Sequence, residues 1–367
     1  MTVNATTVSA GEALRVLQAA WAAQASGGLT TSWMLHGRPG VGKTEVVQTL
    51  ARQIGAELYD LRLTTIEPQD LRGLPFYDHA TAKTVWYRPE DLPDTDAPAI
   101  LFLDELTSAA PSLQPTVYGL LQERRVGRHR LPDTVLIVAA GNRVEDGAIA
   151  HDMGTALSDR LVHMIVQASA DDWLQHYALP AGIHPTVAAF IRTRPDLLET
   201  TEESLRRGQM IACTPRSWTR VSQIMSAVPD RALRQVMIAG TVGAAPAAEF
   251  ALLADEISAT VRIDAMLATP RAERAALYPA TLHGLTALVY GLVGAVTLKT
   301  LPTAIEILAD LRRHKDGAGR GLPIGDLATF GFELLIGRAM EQGWAEVFAT
   351  SEAYADYAAE RQAAGLP

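Results

Sequence analysis

The stretch Gly37-Arg38-Pro39-Gly40-Val41-Gly42-Lys43-Thr44 decides the fold of this chain. It meets the pattern Gly-x-x-x-x-Gly-Lys-Thr, in which the glycines let backbone N–H groups curl around phosphate oxygens. In that pattern the lysine, here Lys43, reaches the β and γ phosphates, and the hydroxyl of Thr44 ligates Mg²⁺. The helix that follows directs its positive end at the anion. The loop therefore predicts a site for a nucleoside triphosphate.

The segments around the loop predict an α/β fold. A short apolar run at residues 33–36 predicts a strand before the loop, and residues 44–54 predict a helix after it. A phosphate-binding loop requires this context, which disfavours the alternative of an accidental glycine turn. Further strands are predicted at residues 57–63, 100–103, 135–139 and 162–166, and helices at 9–26 and 112–125. Strands that alternate with helices indicate a five-stranded parallel sheet between helices.

The pattern changes after residue 169, where no convincing strand is predicted and helical segments alternate with proline-containing turns. We predict a nucleotide-binding α/β domain with an N-terminal helix at residues 1–169. A helical lid domain at residues 170–245 and a helical C-terminal extension at residues 246–367 follow it. The most apolar segment, residues 282–298, is marginal in length for a membrane span and contains glycine, threonine and histidine. It is predicted to be a buried helix.

Two carboxylates follow a strand that is apolar throughout. Residues 100–103 lead directly into Asp104 and Glu105. A carboxylate at the end of a buried strand can hold the water shell of Mg²⁺ beside the phosphates, and a second one can orient or deprotonate the attacking water. Apolar runs that end in acids are also common as solvated strand ends. Beside a phosphate-binding loop, the catalytic interpretation is the favoured one.

One amide and two arginines are further candidates. Asn142 follows the predicted strand at residues 135–139, where an amide can position water near the γ phosphate. Asparagine is also a common turn residue. Arg160 and Arg216 are either surface arginines in salt bridges or groups that neutralise charge on the γ phosphate. Their spacing in the sequence leaves both alternatives open.

The composition excludes several classes of protein. The 367 residues allow two or three domains, and the net charge of −9 disfavours sequence-independent DNA binding. The one cysteine, Cys213, excludes an internal disulfide and indicates a reducing, cytoplasmic compartment. The nine histidines lack metal-ligand spacing, which argues against a transition-metal site. The first ten residues lack the pattern of a secretion signal.

In their order along the chain, these motifs resemble the AAA+ ATPases, and within them the MoxR-type branch, over residues 30–225. The resemblance is carried by residues 37–44, 67–73, 101–106, 121–126, 139–143 and 213–217. It implies that ATP and Mg²⁺ are the cofactors, with the phosphates held by residues 37–44. Asp104 would join Thr44 in holding Mg²⁺, and Glu105 would activate water.

The same resemblance implies roles for the amide and the arginines. Asn142 would be sensor 1, and Arg216 would be sensor 2, acting within its own subunit from the helical lid. Arg160 would be the finger that reaches the nucleotide of a neighbouring subunit. Family members form rings, usually hexamers, so the active site would lie between subunits. They commonly act on proteins, often with a partner that carries a von Willebrand factor A domain, and promote activation or metal insertion.

Residues 68–90 form an insert that is a candidate for contact with a client protein. Five apolar or aromatic side chains lie in it, namely Leu74, Phe76, Tyr77, Trp86 and Tyr87. In the family this insert faces the pore of the ring, where aromatic side chains can grip a polypeptide. The alternative is a hairpin that packs its aromatic side chains on the domain itself.

The leading hypothesis is a cytoplasmic, ATP-driven protein remodeller. A nucleotide-dependent binding module with little turnover is one alternative, and the presence of Glu105 and Asn142 weighs against it. A DNA-acting motor related to the McrB-like branch is another, and the acidic net charge weighs against that one.

Overall fold

The computed structural model describes residues 3–146, 153–313 and 324–363 of the chain. The strands are β1 (Thr7–Val8), β2 (Ser32–His36), β3 (Glu57–Arg62), β4 (Pro75–Asp78), β5 (Lys83–Trp86), β6 (Ala99–Asp104), β7 (Arg125–Val126), β8 (His129–Arg130), β9 (Val135–Gly141) and β10 (Leu161–Val166). The first helices are α1 (Ala10–Ala25), α2 (Lys43–Ile54), α3 (Pro68–Arg72), α4 (Gln114–Glu123), α5 (Gly154–Ser158), α6 (Ala170–Asp172), α7 (Pro185–Thr193) and α8 (Thr201–Arg206). The later ones are α9 (Pro215–Ala227), α10 (Arg231–Val242), α11 (Ala244–Thr260), α12 (Ile263–Ala268), α13 (Leu282–Ala295), α14 (Leu301–Arg313), α15 (Ile324–Glu341), α16 (Glu346–Ala349) and α17 (Glu352–Ala363).

A parallel sheet of six strands, in the order β1-β10-β2-β9-β6-β3, forms the centre of the first part of the chain. All its neighbouring strands are parallel. The predicted α/β fold is therefore confirmed, and the five predicted strands are β2, β3, β6, β9 and β10. The sheet has one more strand than predicted, the edge strand β1, which pairs Thr7 with Ile165 and Val8 with Val166. Two residues carry no recognisable period, so only pairing with β10 reveals this strand.

The central strands alternate between two apolar layers. On one face, Leu35 and Phe102 pack with side chains of α1 and α2. On the other face, Leu101 and Ile137 pack with side chains of α4 and α5. Strands that are covered on both faces need apolar residues at nearly every position, which is why β6 and β9 are continuous apolar runs.

The chain divides into two compact units. The first unit contains residues 1–172, 199–210 and 214–216, and the second contains residues 173–198, 211–213 and 217–367. The division falls inside α9, whose first two residues belong to the first unit. The separation into regions at residues 1–169, 170–245 and 246–367 stays a prediction.

The insert after β3 consists of the short helix α3 and the antiparallel hairpin of β4 and β5. The Arg72 guanidinium lies 4.2 Å from the centre of the Trp86 ring, and the Phe76 and Tyr87 rings are 5.3 Å apart. The backbone of the insert is therefore the hairpin that the sequence offered as an alternative. Phe76, Tyr77 and Tyr87 are nevertheless exposed to solvent and not buried on the domain.

The described residues of the second unit form helices joined by turns and irregular segments, without a strand. Phe190, Trp218 and Phe250 form a buried aromatic cluster, with ring centres between 5.1 and 5.8 Å apart. The Trp218 indole N–H donates to the carbonyl oxygen of Leu197 at 2.7 Å, so the one polar atom of this side chain is satisfied. Helix α13 is almost entirely buried, as predicted for this apolar segment. No helix in the described residues has the length and apolar character that crossing a membrane requires.

The backbone conformation at Gly73, which joins α3 to β4, requires glycine. Gly73 has a φ of +84°, and a Cβ atom there would lie 1.8 Å from the carbonyl oxygen of Tyr87. Gly55 also has a positive φ, +64°, but no atom lies within 4 Å of its Cβ position. Only backbone strain, about 1 kcal/mol, therefore opposes Gly55→Ala.

We expect Gly73→Ala to reduce the free energy of unfolding by about 2 kcal/mol more than Gly55→Ala, because the backbone at residue 73 and the backbone at Tyr87 must move apart. Urea unfolding of both variants measures the difference. Limited proteolysis should show earlier cleavage within residues 74–87 of Gly73→Ala alone. Equal losses and equal cleavage would contradict the described packing of the insert.

Candidate active site

Three neighbouring strands bring predicted site residues to one edge of the sheet. β2 ends at His36, directly before the phosphate-binding loop, and β6 ends at Asp104. Between them lies β9, which is followed by Asn142. The carboxyl ends of parallel strands share one edge, where α/β proteins bind their ligands. The strand order therefore places Asn142 between the loop and Asp104.

The conformation of the loop depends on its glycines. Gly40 has a φ of +82°, and a Cβ atom there would lie 3.0 Å from the Thr214 hydroxyl oxygen. A Cβ atom at Gly37 would lie 2.4 Å from the carbonyl oxygen of Val166. Helix α2 begins at Lys43, so its first backbone N–H groups lie at the end of the loop. The local structure is therefore one that can wrap around an anion.

The Lys43 ammonium is buried among oxygen atoms. Its Nζ donates to the carbonyl oxygen of Gly37, to that of Arg38 at 3.1 Å and to Oδ1 of Asn142 at 3.2 Å. Burial lowers the pKa of Lys43 to about 8, although the negative charge of Asp104 acts in the opposite direction. The contact with Asn142 joins two of the predicted site residues directly.

Asp104 and Glu105 occupy different environments. Asp104 is buried, and its Oδ1 accepts the Glu105 backbone N–H at 2.9 Å. Glu105 has a φ of +60°, which is uncommon for a residue with a side chain. Its carboxylate accepts a hydrogen bond from the Thr64 hydroxyl and lies 3.9 Å from the Arg62 guanidinium. The sequence analysis missed Thr64, although the pairing of Arg62 with Asp104 in the sheet brings the two strand ends together.

Arg216 lies beside the phosphate-binding loop. Its backbone N–H donates to the carbonyl oxygen of Gly40 at 3.3 Å, and its Cβ would lie 3.4 Å from a Cβ atom at Gly40. Its positive charge helps to lower the pKa of Lys43. Both residues belong to the first compact unit. The structure thus brings Arg216 to the loop of its own chain.

Arg160 lies at the opposite end of the strands from the phosphate-binding loop, where β10 and β2 begin. It directly precedes β10, whose first residue, Leu161, pairs with Ser32 at the beginning of β2. The loop follows the last residue of β2, His36. Four residue steps along a strand amount to about 13 Å, so Arg160 is not grouped with Lys43 and Asn142.

In a comparison with known proteins, part of this chain matches a described protein family. The family described as "AAA domain (dynein-related subfamily)" matches residues 32–161. Chaperone MoxR1 of Mycobacterium tuberculosis is 27% identical over 46% of this chain and 45% of its own length. YeaC, an uncharacterized protein of Bacillus subtilis, is 30% identical over 30% of this chain and 35% of its own. The mouse ATPase family gene 2 protein homolog B is 32% identical over 28% of this chain and 12% of its own.

The matched segment contains the loop, the Asp104–Glu105 pair, Asn142 and Arg160. Residues 32–161 form an AAA domain, and the chain is similar to the MoxR-type AAA+ ATPases. The resemblance that its motifs indicated is therefore confirmed. The chain spans less than half the length of each of these three relatives. These partial matches therefore do not identify the molecule on which this ATPase acts.

The structure of this AAA+ ATPase also contains a network of charged side chains around the buried Asp146, which the sequence analysis did not predict. The Asp146 carboxylate is buried and accepts hydrogen bonds from the Arg143 side chain, the closest at 2.7 Å. It also lies 3.7 Å from Nε of Arg38 in the loop. The other end of the Arg38 guanidinium donates to Glu199 and Glu202, each at 2.8 Å. These contacts link the loop to the residues after Asn142 and to α8.

His36 is the last residue before the loop of this AAA+ ATPase, and it is buried. Burial, helped by the nearby His163, lowers the pKa of His36 from 6.5 to about 4. The folded state therefore favours the neutral imidazole. Because the folded pKa lies below the unfolded one, this contribution to stability is complete above pH 6.5 and is lost as the pH falls toward 4.

We expect His36→Gln to reduce the acid sensitivity of folding, because glutamine takes up no proton in this range. Between about pH 7 and pH 4.5, the wild-type free energy of unfolding should fall by about 2–3 kcal/mol more than that of the variant. Urea unfolding at the two pH values measures this difference. His79→Gln, which removes an exposed histidine, serves as the matched control. An identical pH dependence in wild type and His36→Gln would contradict the prediction.

Proposed function

We propose that this AAA+ ATPase hydrolyses ATP at residues 37–44 within a homo-oligomeric ring, and that hydrolysis drives the remodelling or activation of a partner protein. One observation carries the proposal. The buried amine of Lys43 contacts Asn142 and interacts with the charge of Asp104 at a single sheet edge. A phosphate cradle with a metal-binding carboxylate and a water-directing group is the arrangement that phosphoryl transfer to water needs.

The residues present fit Mg²⁺ as the metal. No cluster of three or more His, Cys, Asp or Glu side chains that could hold a metal occurs in the residues the structure describes. Mg²⁺ does not need one, since it usually binds one or two carboxylates together with phosphates and water. Asp104 and the Thr44 hydroxyl would hold it. The ion would supply neutralisation of the charge on the β and γ phosphates.

The protein side chains would do the remaining work. The loop N–H groups and Lys43 would bind the β and γ phosphates, and the Asn142 amide would orient the attacking water. Glu105 would take the proton from that water. Its carboxylate is partly exposed and is held by Thr64. Glu105 would therefore have to leave the Thr64 hydroxyl before it acts as a base.

The positions of the two arginines support the ring. Arg216 lies beside Gly40 and would read the γ phosphate within its own subunit. Arg160 begins about 13 Å along the strand direction from its own loop, and would serve the nucleotide of a neighbouring subunit. A guanidinium supplied in this way stabilises the charge that develops in the transition state. We propose six subunits, as in the family that the sequence resembles.

The insert is the proposed contact for the client. Its Leu74, Phe76, Tyr77 and Tyr87 are exposed side chains close together in sequence. Exposed apolar patches commonly mark binding sites, and extended polypeptides offer apolar side chains to them. A partner that carries a von Willebrand factor A domain would bring the client, and metal insertion is one activation that such an assembly would perform.

Two substitutions separate binding from hydrolysis. Lys43→Ala should abolish both ATP binding and turnover, because it removes the cation at the phosphates. Glu105→Gln should keep ATP binding and lower turnover by at least about 100-fold, since the general base is lost. Binding of a fluorescent ATP analogue and release of inorganic phosphate measure the two effects.

The control for these variants is Glu45→Gln, on α2. The Glu45 carboxylate is partly exposed and pairs with Arg52 at 2.9 Å. Its loss should change neither ATP binding nor turnover, because surface pairs contribute little. Wild-type turnover in Lys43→Ala and Glu105→Gln would refute the proposed site.

The contact between Thr64 and Glu105 favours a second candidate, a module that binds ATP but turns it over slowly without a partner. Thr64→Val keeps the shape of the side chain and removes the hydroxyl. We expect basal turnover to rise severalfold, because a hydrogen bond to a carboxylate weakens it as a base. Thr65→Val is the control, since the Thr65 hydroxyl donates to the Arg62 carbonyl oxygen. A fall in turnover of Thr64→Val alone would show instead that Thr64 orients Glu105 for catalysis.

A further inference from the structure

Two hydrogen-bonded histidines lie on the neighbouring strands β2 and β10. His36 ends β2, and His163 lies in the neighbouring strand β10. His163 pairs with Met34, two residues before His36, so both imidazoles project from the same face of the sheet. His36 Nε2 and His163 Nδ1 are 2.8 Å apart. The proposed mechanism of hydrolysis uses neither residue.

The partners of His163 determine which atoms carry the protons. His163 Nε2 lies 2.8 Å from the backbone carbonyl oxygen of Ser158. A carbonyl oxygen only accepts, so Nε2 of His163 is the donor, and in the tautomer that carries this proton Nδ1 is an acceptor. His36 Nε2 then donates to His163 Nδ1. The chain of donors therefore runs from His36 through His163 to Ser158.

The carbonyl at the end of this chain belongs to the turn that carries Arg160. Ser158 is the last residue of α5, and Arg160 follows two residues later. The backbone N–H of Arg160 donates to the Leu157 carbonyl oxygen at 3.1 Å, and Leu157 is buried in the core. The histidine pair therefore connects the strand before the phosphate-binding loop with the backbone next to Arg160.

The pair has an energetic cost that packing alone does not explain. Nδ1 of His36 is buried and has no hydrogen-bond partner among the described residues. A buried polar atom without a partner disfavours the folded state, whereas apolar side chains such as Met34 and Leu161 fill the same face of these strands without that cost. Polar groups retained under such a penalty are expected where they have a role beyond packing.

We propose that His163, oriented by His36, is a positioning residue for Arg160. By holding the Ser158 carbonyl, His163 sets the place from which Arg160 reaches the neighbouring subunit. This inference rests on the proposed role of Arg160 in trans. It adds that β2, the strand before the phosphate-binding loop of one subunit, is linked through the histidines to Arg160, which acts at the nucleotide site of the neighbouring subunit.

Two near-isosteric substitutions of His163 separate its two hydrogen bonds. The amide nitrogen of glutamine is as many bonds from Cβ as Nε2, so His163→Gln keeps a donor for the Ser158 carbonyl. The amide oxygen of asparagine matches Nδ1 in the same way, so His163→Asn keeps an acceptor for His36 and loses the bond to Ser158. We expect kcat to fall about tenfold in His163→Asn only, the factor that one ordinary hydrogen bond supplies.

Mixed rings show in which subunit His163 acts. In a mixture of Arg160→Ala and Glu105→Gln subunits, each inactive alone, turnover should return. The Arg160→Ala subunit keeps its hydrolytic site and receives the arginine of its Glu105→Gln neighbour. Adding His163→Asn to the Glu105→Gln subunit should lower this turnover about tenfold. Adding it to the Arg160→Ala subunit should have no effect, and binding of a fluorescent ATP analogue should be unchanged in both.

The outcomes distinguish the inference from the function on which it rests. If the plain mixture stays inactive, Arg160 does not act in trans, and both the ring mechanism and the inference fail. If the mixture is active but His163→Asn acts equally in either subunit, or weakens ATP binding, only the inference fails. If His163→Asn does not fold, His36→Leu is placed in the same two subunits, since it leaves the His163 ring without its donor. An equal effect of His36→Leu in both placements also overturns the inference.

Discussion

A buried ammonium group needs oxygen atoms around it, and this need organises the carboxyl edge of the sheet. The Lys43 amine takes its partners from the loop carbonyls and from Asn142, which follows a different strand. Such a contact requires β9 to lie beside β2, and the parallel order of the sheet provides that arrangement. The same order carries β6 and Asp104 to the far side of β9. The remaining groups of the site are arranged around this cation.

The phosphate-binding loop is also tied to segments distant in sequence. Gly40 accepts a hydrogen bond from the Arg216 backbone, and Arg38 pairs with Glu199 and Glu202. On the strand side, His36 joins the loop to β10. Any change in the loop conformation on nucleotide binding would therefore be felt at several elements of the first unit.

The sequence predicted well those features that local pattern encodes. The strand–loop–helix at residues 33–54, the buried strand before Asp104 and the buried helix α13 all follow from hydrophobic runs and glycine positions. The sequence did not predict features that depend on contacts between residues far apart along the chain. Edge strand β1 has only two residues, and the Thr64–Glu105 contact joins residues that are 41 apart. Asp146 resembles any other surface acid until its burial against Arg143 is seen.

The sequence by itself predicted the α/β fold, the phosphate-binding loop and the resemblance to AAA+ ATPases, because the residues that surround phosphates, here 37–44, must be contiguous. It also identified Asn142, Arg160 and Arg216 as candidates. The spacing left the roles of the two arginines open, and the resemblance implied Arg216 for its own site and Arg160 for that of a neighbouring subunit. Only the tertiary structure showed where the two arginines lie in the fold, since the order and register of parallel strands decide which end of the sheet each residue occupies. Arg216 lies at the loop of its own chain, whereas Arg160 lies at the opposite end of the strands, where β10 and β2 begin.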